Sequence, residues 1–320
     1  MKQVLVIFVI ISMLTSCKND NKFEDDIAKI KIHTNIERFD TLFAAVTSST
    51  LPKLKNDYPF MFSKKYTDSF WLDKVTDTLQ VELFKEVAKT FSDFEEIEKD
   101  IELLFKHLKY YFPEFKTPRV ITVTSDVDYR NRVIVTDTID LIALDNYLGP
   151  DHDFYQSIPV YIREDFRKER MVVDLAGEYA KRYIYPVATK TFLDEMIYYG
   201  KLLYFKERMV PFVSEAVRLG YTVDELEWAQ VNESEIWRHF VEHEMLYSTD
   251  SKLSERFIEA APFSKFYLEG IDTESPGQLG QYIGLQIVRA YMDNNEVLMK
   301  DMLITQTDEI FNKSKFKPRK

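Results

Sequence analysis

Asp174-Leu-Ala-Gly-Glu-Tyr-Ala-Lys181 is the stretch on which the reading of this chain turns. Its pattern is helical and apolar enough to be buried, yet Glu178 stands in the middle of it. Glu178 lies three residues before Lys181 and four before Arg182, the spacings at which helical ion pairs form and contribute a few tenths of a kcal/mol when exposed. The helical pattern spans Ile162 to Tyr185, stops near Pro186, and resumes as an aromatic helix from Thr191 to Met209. Tyr183, Tyr185, Tyr198, Tyr199 and Tyr204 cluster along these two segments; aromatics at helical spacing usually form core, and a hydroxyl-lined groove is the functional alternative.

Working outward, helix dominates. Leu79, Leu83, Val87 and Phe91 recur every four residues, and Ile97, Ile101, Leu104, Leu108 and Tyr111 form a second stripe ending at Phe112-Pro113. Further helices are expected over Val213–Gly220, with Gly220 as C-cap, Asp224–Tyr247, Leu279–Asp293 and Glu296–Phe311. Pro276 suits the first position of the Leu279 helix, and Gly280-x-x-x-Gly284 permits close packing against a neighbouring helix. Strand signals are few and short: Ile30–Ile36 by alternation, Pro118–Thr124, Val133–Val135 and Leu141–Leu144 by β-branched content. The fold class is therefore α+β, mainly α-helical, with a small β-sheet. The 320 residues suit one large domain or two small ones, and 24 Phe and 19 Tyr supply a core while only 8 Gly argue against a Gly-punctuated design. A net charge of −11 disfavours nucleic acid as a partner.

The N-terminus reads as an export signal. Lys2 precedes an apolar run, Val4 to Leu14, too short to span a bilayer as a helix. It ends in Leu14-Thr15-Ser16-Cys17, the pattern of a bacterial lipoprotein signal, with the chain's one cysteine at the position that is acylated. Each buried CH₂ of the acyl chains would add about 0.8 kcal/mol to anchoring. The organisation expected is a signal peptide over 1–17, a flexible acidic tether over 18–30, a globular domain over 31–312 and a basic tail over 313–320. That tail could touch an anionic lipid surface, or simply be solvated.

Chemical motifs are sparse. No Gly-x-Gly-x-x-Gly, Walker or Gly-x-Ser-x-Gly pattern occurs. His239-Phe-Val-Glu-His243 matches the inverted zinc-peptidase pattern His-x-x-Glu-His, and its two histidines share a helical face; a third ligand would have to come from His152 or a distant carboxylate. Around Glu178 the positions that carry histidine in His-Glu-x-x-His are Gly177 and Lys181.

Several stretches together resemble one family, the gliding-motility lipoproteins of the GldB type found in Bacteroidetes. They are Ile36-Glu-Arg-Phe-Asp40, Ala143-Leu-Asp-Asn-Tyr-Leu-Gly149, Gly200-Lys-Leu-Leu-Tyr-Phe205, Asn232-Glu-Ser-Glu-Ile-Trp237, Leu246-Tyr-Ser-Thr-Asp250, Ala261-Pro-Phe263, Glu274-Ser-Pro-Gly277 and Gly284-Leu-Gln-Ile-Val-Arg289. The resemblance implies a membrane-attached protein of the gliding and type IX secretion apparatus, with other gliding-motility proteins as partners and the periplasm as the side faced. It supplies no enzymatic activity. The family is in turn similar to predicted zinc peptidases. Laid on this chain, that similarity implies a metallopeptidase-like scaffold in which Glu178 keeps the general-base position, Gly177 and Lys181 replace two histidines, and Tyr199 replaces the acidic third ligand. No catalytic residue, metal or other cofactor is then expected, and the space between Gly177, Lys181 and Tyr199 should be filled. The competing readings are a metal-dependent hydrolase on His239 and His243, and a lipoprotein that captures a peptide or glycan.

Overall fold

A computed structural model describes residues 23–185, 190–268 and 270–319. The lipobox Leu14, Thr15 and Ser16, and Cys17 itself, lie outside the described residues. The α+β class holds: helices form most of the chain, around a four-stranded sheet.

The sheet joins β1 (Ile36–Glu37), β2 (Arg119–Val123), β3 (Val133–Val135) and β4 (Ile139–Ala143) in the order β1-β2-β4-β3. β1, β2 and β4 are parallel, and β3 returns antiparallel to β4 with Val133 opposite Ile142. The β3–β4 turn is closed by Thr136, whose Oγ1 accepts the Ile139 N–H at 3.0 Å. Alternation along β2 buries it on both faces. Val120 points into the large helical core, while Ile121 points into a smaller cluster with Phe39, Phe43, Leu51, Phe62 and Val75. Of the alternating segment expected at Ile30–Ile36, only its end pairs: the strand covers Ile36–Glu37, opposite Val120 and Ile121 of β2.

Four helices build the main core. α1 spans Glu95–Tyr111, α2 Arg170–Tyr183, α3 Phe192–Met209 and α4 Leu279–Asn294. Capping sets where α3 begins. Thr191 Oγ1 accepts the Asp194 N–H at 3.2 Å and Asp194 Oδ2 accepts the Thr191 N–H at 3.0 Å, a reciprocal box that satisfies two otherwise orphan donors. α3 and α4 cross at glycine. A Cβ on Gly200 would lie 2.3 Å from the Gly284 carbonyl carbon, and one on Gly284 would lie 1.8 Å from the Met196 carbonyl oxygen. The spacing Gly280-x-x-x-Gly284 thus serves helix–helix contact, with Gly280 against Phe257 and Ile258. Arg289 ties the crossing further, donating to Glu207 at 2.7 Å and to Glu215 at 2.8 Å.

Four helical expectations are corrected in detail, among them the run from Glu296 to Phe311, which divides into Met299–Ile304 and Thr307–Ser314. The run from Ile162 divides into Val160–Arg163 and α2, since the polar Glu164–Glu169 linker turns the chain. The run from Asp224 divides at Asn232 into Val223–Val231 and Glu233–Glu242; Asn232 ends the first helix and donates from its side chain to the Trp228 carbonyl at 2.8 Å. Pro276 precedes the helix rather than opening it, and Gln278, at φ 57°, is the N-cap of α4. Gly220 does cap the Glu215–Leu219 helix in the left-handed region, at φ 78°.

At the two ends, residues 23–28, in the segment expected as a tether, are helical and Ile27 is buried. In the C-terminal basic segment Phe316 packs edge-on to Trp237, and the Arg319 N–H donates to Glu233 at 2.9 Å. No helix among the described residues is long and apolar enough to cross a membrane.

Candidate functional site

α2 and α3 lie side by side, and the gap between them is open. A cavity of about 380 Å³ is lined by Gly177, Glu178, Lys181 and Tyr199. The structure therefore brings together the four positions singled out in the sequence, and it corrects the expectation that the space among them is filled. With no side chain at 177, room is left for Lys206 of α3 to reach across: a Cβ on Gly177 would lie 2.9 Å from Lys206 Cε and 3.5 Å from Nζ.

Helical periodicity decides what faces the cavity. On α2, Arg170, Asp174, Gly177, Glu178 and Lys181 fall on one face; on α3, Tyr199, Leu202 and Lys206 do. Arg132 arrives from the other side, delivered by the start of β3, which packs on α2. Asp165, Leu219, Gly220 and Gln278 complete the walls, and Tyr129, Arg130 and Tyr161 belong to the rim.

The charges form a network centred on Asp174. Its carboxylate accepts the Tyr147 hydroxyl at 2.9 Å, pairs with Arg132 Nε at 2.9 Å and with Arg170 at 3.4 Å. Arg170 Nε also lies 3.2 Å from Asp165 Oδ1, close enough for an ion pair although the angle is too poor for a hydrogen bond. Burial pulls the Arg132 pKa down, but Asp174, Tyr147 and Asp165 outweigh it and hold the guanidinium above its ordinary value. Glu178 pairs with Lys181 on the rim, as the three-residue spacing implies, while Arg182 turns away to Asp137.

Lys206 is different. No hydrogen bond or ion pair is made by its ammonium among the described residues, and the side chain lies half-buried in the cavity wall. Burial lowers its pKa to about 8; Arg170 and Arg132 act the same way, and Asp174 and Asp165 oppose them. The cavity wall thus carries five cationic side chains against three carboxylates, in a chain whose overall charge is −11.

The other candidate chemistry lies elsewhere. His239 and His243 do meet, their ring centroids 4.1 Å apart at a separate cavity near Trp228 and Phe266. His243 Nδ1 lies 2.9 Å from the His239 carbonyl, and burial, with His243 next, depresses the His239 pKa. His152, the histidine considered as a third ligand, sits instead beside Glu86 at 3.4 Å. Among the described residues no group of three or more His, Cys, Asp or Glu side chains is placed to hold a metal ion. The tyrosines do not form a shared groove. Tyr183 stacks on Phe112 at 3.8 Å, Tyr198 and Tyr204 pack on the main core, and Tyr199 alone of the five reaches the α2–α3 cavity. A larger apolar cleft, about 860 Å³, opens between Phe70, Leu79, Val127, Phe154 and Ile158, with Lys74 and Asp126 paired at its edge.

Sequence reasoning missed Arg132, Asp165, Arg170, Asp174 and Lys206 as site residues. Two signals were available: the four-residue spacing of Arg170 and Asp174, and the seven-residue spacing of Tyr199 and Lys206. Nothing local could have placed Arg132, which reaches the site only through the sheet.

Fold and cavity define a mainly helical α+β protein with a cation-lined hollow between its two central helices. The family described as Gliding motility protein GldB matches residues 20–318, nearly the whole chain. The chain belongs to that family of gliding-motility lipoproteins. No curated protein and no solved structure matches it.

Proposed function

We propose that this protein is a lipid-anchored, non-catalytic component of the gliding machinery, held to a membrane on its periplasmic side by acylated Cys17. It acts there as a scaffold or binding module alongside the type IX secretion apparatus and other motility proteins. The family match across residues 20–318 carries the reading. What supports its non-catalytic half is the surroundings of Glu178. Its neighbours at the metal positions are Gly177, Lys181 and Tyr199, its carboxylate is engaged by Lys181, and the ammonium of the half-buried Lys206 lies over Gly177. A cation at that point repels a dication, so the cavity reads as the frame of a metal site put to another use.

Colony spreading tests this. A deletion strain should fail to spread, and a Cys17→Ala strain should release the protein from membranes and spread poorly. Normal spreading by the deletion strain would end the proposal. Glu178→Gln should leave spreading intact, because only a rim ion pair worth less than about 1 kcal/mol is lost; a non-spreading Glu178→Gln strain with normal protein levels would restore a catalytic role. The competing hydrolase reading rests on the ring contact of His239 and His243. Stoichiometric zinc in the purified protein, lost in His243→Ala, would favour it.

A further inference from the structure

The pairings within the α2–α3 cavity leave two cations without a carboxylate among the described residues, the exposed Arg130 at the rim and Lys206 within. Asp174 is shared by Arg132 and Arg170, Asp165 faces Arg170, and Glu178 is taken by Lys181. Every carboxylate lining the cavity is thereby engaged. Lys206 faces the same hollow with no acceptor among the described residues, its stem clamped against Gly177. Withdrawing an ammonium even partly from water without a counter-charge is unfavourable, and the usual remedies are a partner or replacement by an apolar residue. Neither has happened here, although the flanking Leu202, Leu203 and Phe205 show that α3 accepts apolar side chains freely. A fully buried lysine of the same helix shows what a structural solution looks like. Lys201 donates to the Leu303 carbonyl at 3.1 Å and to the Thr305 carbonyl at 2.6 Å, and so has a purpose in closing a helix end. Lys206 has none of this within the fold.

We infer that the α2–α3 cavity is a binding site for a small organic anion, whose carboxylate or phosphate group seats against Lys206. This deepens the reading of the protein as a binding module and rests on it. The anion supplies the acceptor that Lys206 lacks. Arg132 and Arg170, held rigid by Asp174, add a positive field without moving. The tyrosines at positions 161 and 199 and the Gln278 amide stand at the walls and rim, suited to the uncharged remainder of the ligand. About 380 Å³ is at the small end of ligand cavities and fits the charged end of a peptide or a sugar phosphate rather than a whole protein segment.

Calorimetric titration of the complete mature protein decides it, with inorganic phosphate in one arm and an N-acetylated dipeptide with a free carboxylate in the other. The dipeptide amide is the control for the carboxylate. Saturable one-site binding is expected in one arm, weakened at least about tenfold in Lys206→Met. Lys206→Met removes an unpaired, half-buried charge and should fold at least as well as the parent, which circular dichroism would check. Lys300→Met, an exposed charge loss outside the cavity, should bind as the parent does. Binding in the phosphate arm assigns a phosphate-bearing ligand, and binding of the dipeptide but not its amide assigns a carboxylate. Absence of saturable heat from either probe at concentrations on the order of tens of millimolar overturns the inference, as does equal affinity in folded Lys206→Met. Those failures leave the motility reading untouched, and normal spreading of the deletion strain would overturn that reading while leaving a measured affinity in place.

Discussion

Asp174 shows how much of the site hangs on one carboxylate. It lies on α2 with 9% of its side chain exposed, and it is the counter-charge for two guanidiniums and the acceptor for the Tyr147 hydroxyl. Tyr147 is fully buried, and burial first, then Asp174, raises its pKa far above the ordinary phenol value, so it remains a donor. Asp174→Asn preserves shape while removing the charge. It leaves Arg132 and Arg170 in each other's field, and breaking a buried pair in this way costs about 3–5 kcal/mol. Urea unfolding of the purified variant should show a loss of that size; a loss below about 1 kcal/mol would mean that water in the cavity already carries the guanidiniums. Asp174 opened the stretch from which the sequence was read, yet of its role only the pairing with Arg170, one turn back on the same helix, was legible there. Its partners Arg132 and Tyr147 come from distant segments, and pairing between segments has no local signature. Glu178 was legible, because its partner Lys181 lies one helical turn away.

Elements were more legible than sites for the same reason. Hydrophobic periodicity records which face of a helix is buried, so α1, α3 and α4 could be read directly, and the β-branched runs marked β2 and β3. Breaks within helical runs were less visible: the turn at Glu164–Glu169 and the interruption at Asn232 depend on packing and on side-chain bonds to the backbone. The α3–α4 crossing lies between these cases. Its glycines announced a close approach, but only the fold shows that the partner of Gly284 is the Met196 backbone and that of Gly200 is Gly284 itself. Gly284→Ala is therefore expected to destabilise strongly. Helix propensity favours alanine by about 1 kcal/mol, but a methyl group 1.8 Å from a carbonyl oxygen forces the helices apart. Main-chain atoms cannot rotate away as a flexible side chain could, so the net loss should reach about 3 kcal/mol. Thermal denaturation of Gly284→Ala would measure it, and an unchanged or raised midpoint would show that the helices separate at little cost. Gly177→Ala provides the contrast. There the obstacle is the flexible end of Lys206, which can shift into the cavity, so a smaller loss is expected.

Across the whole molecule, buried ionisable groups set how stability responds to pH. Asp140 is fully buried in β4; burial raises its pKa to about 7, with the Tyr179 hydrogen bond at 2.7 Å and Arg182 opposing. Its ordinary value is 3.8, so the folded state holds this proton more tightly than the unfolded chain does. The stability it contributes is fully present below about pH 4 and is lost as pH rises through 7. Asp145, also buried, shifts the same way. The lysines act with the opposite trend. Burial lowers both Lys201 and Lys206 to about 8 from 10.5, so between those limits the unfolded chain binds more protons and stability rises with pH. Each fully buried group can contribute a slope of up to about 1.4 kcal/mol per pH unit within its window, with Lys206 contributing less because its ammonium faces cavity solvent. Carboxylates with lowered values, such as Glu37 and Asp194, act below about pH 4.5, and the raised tyrosines act above 10, so neither group obscures the middle range. Unfolding free energies measured from pH 5 to 9.5 should accordingly pass through a minimum between about 7 and 8. Asp140→Asn should flatten the fall on the acid side, and Lys201→Met the rise on the alkaline side. A curve that is flat or monotonic across the range would mean that water reaches these groups and that the interior is less closed than the packing around β4 and α3 implies.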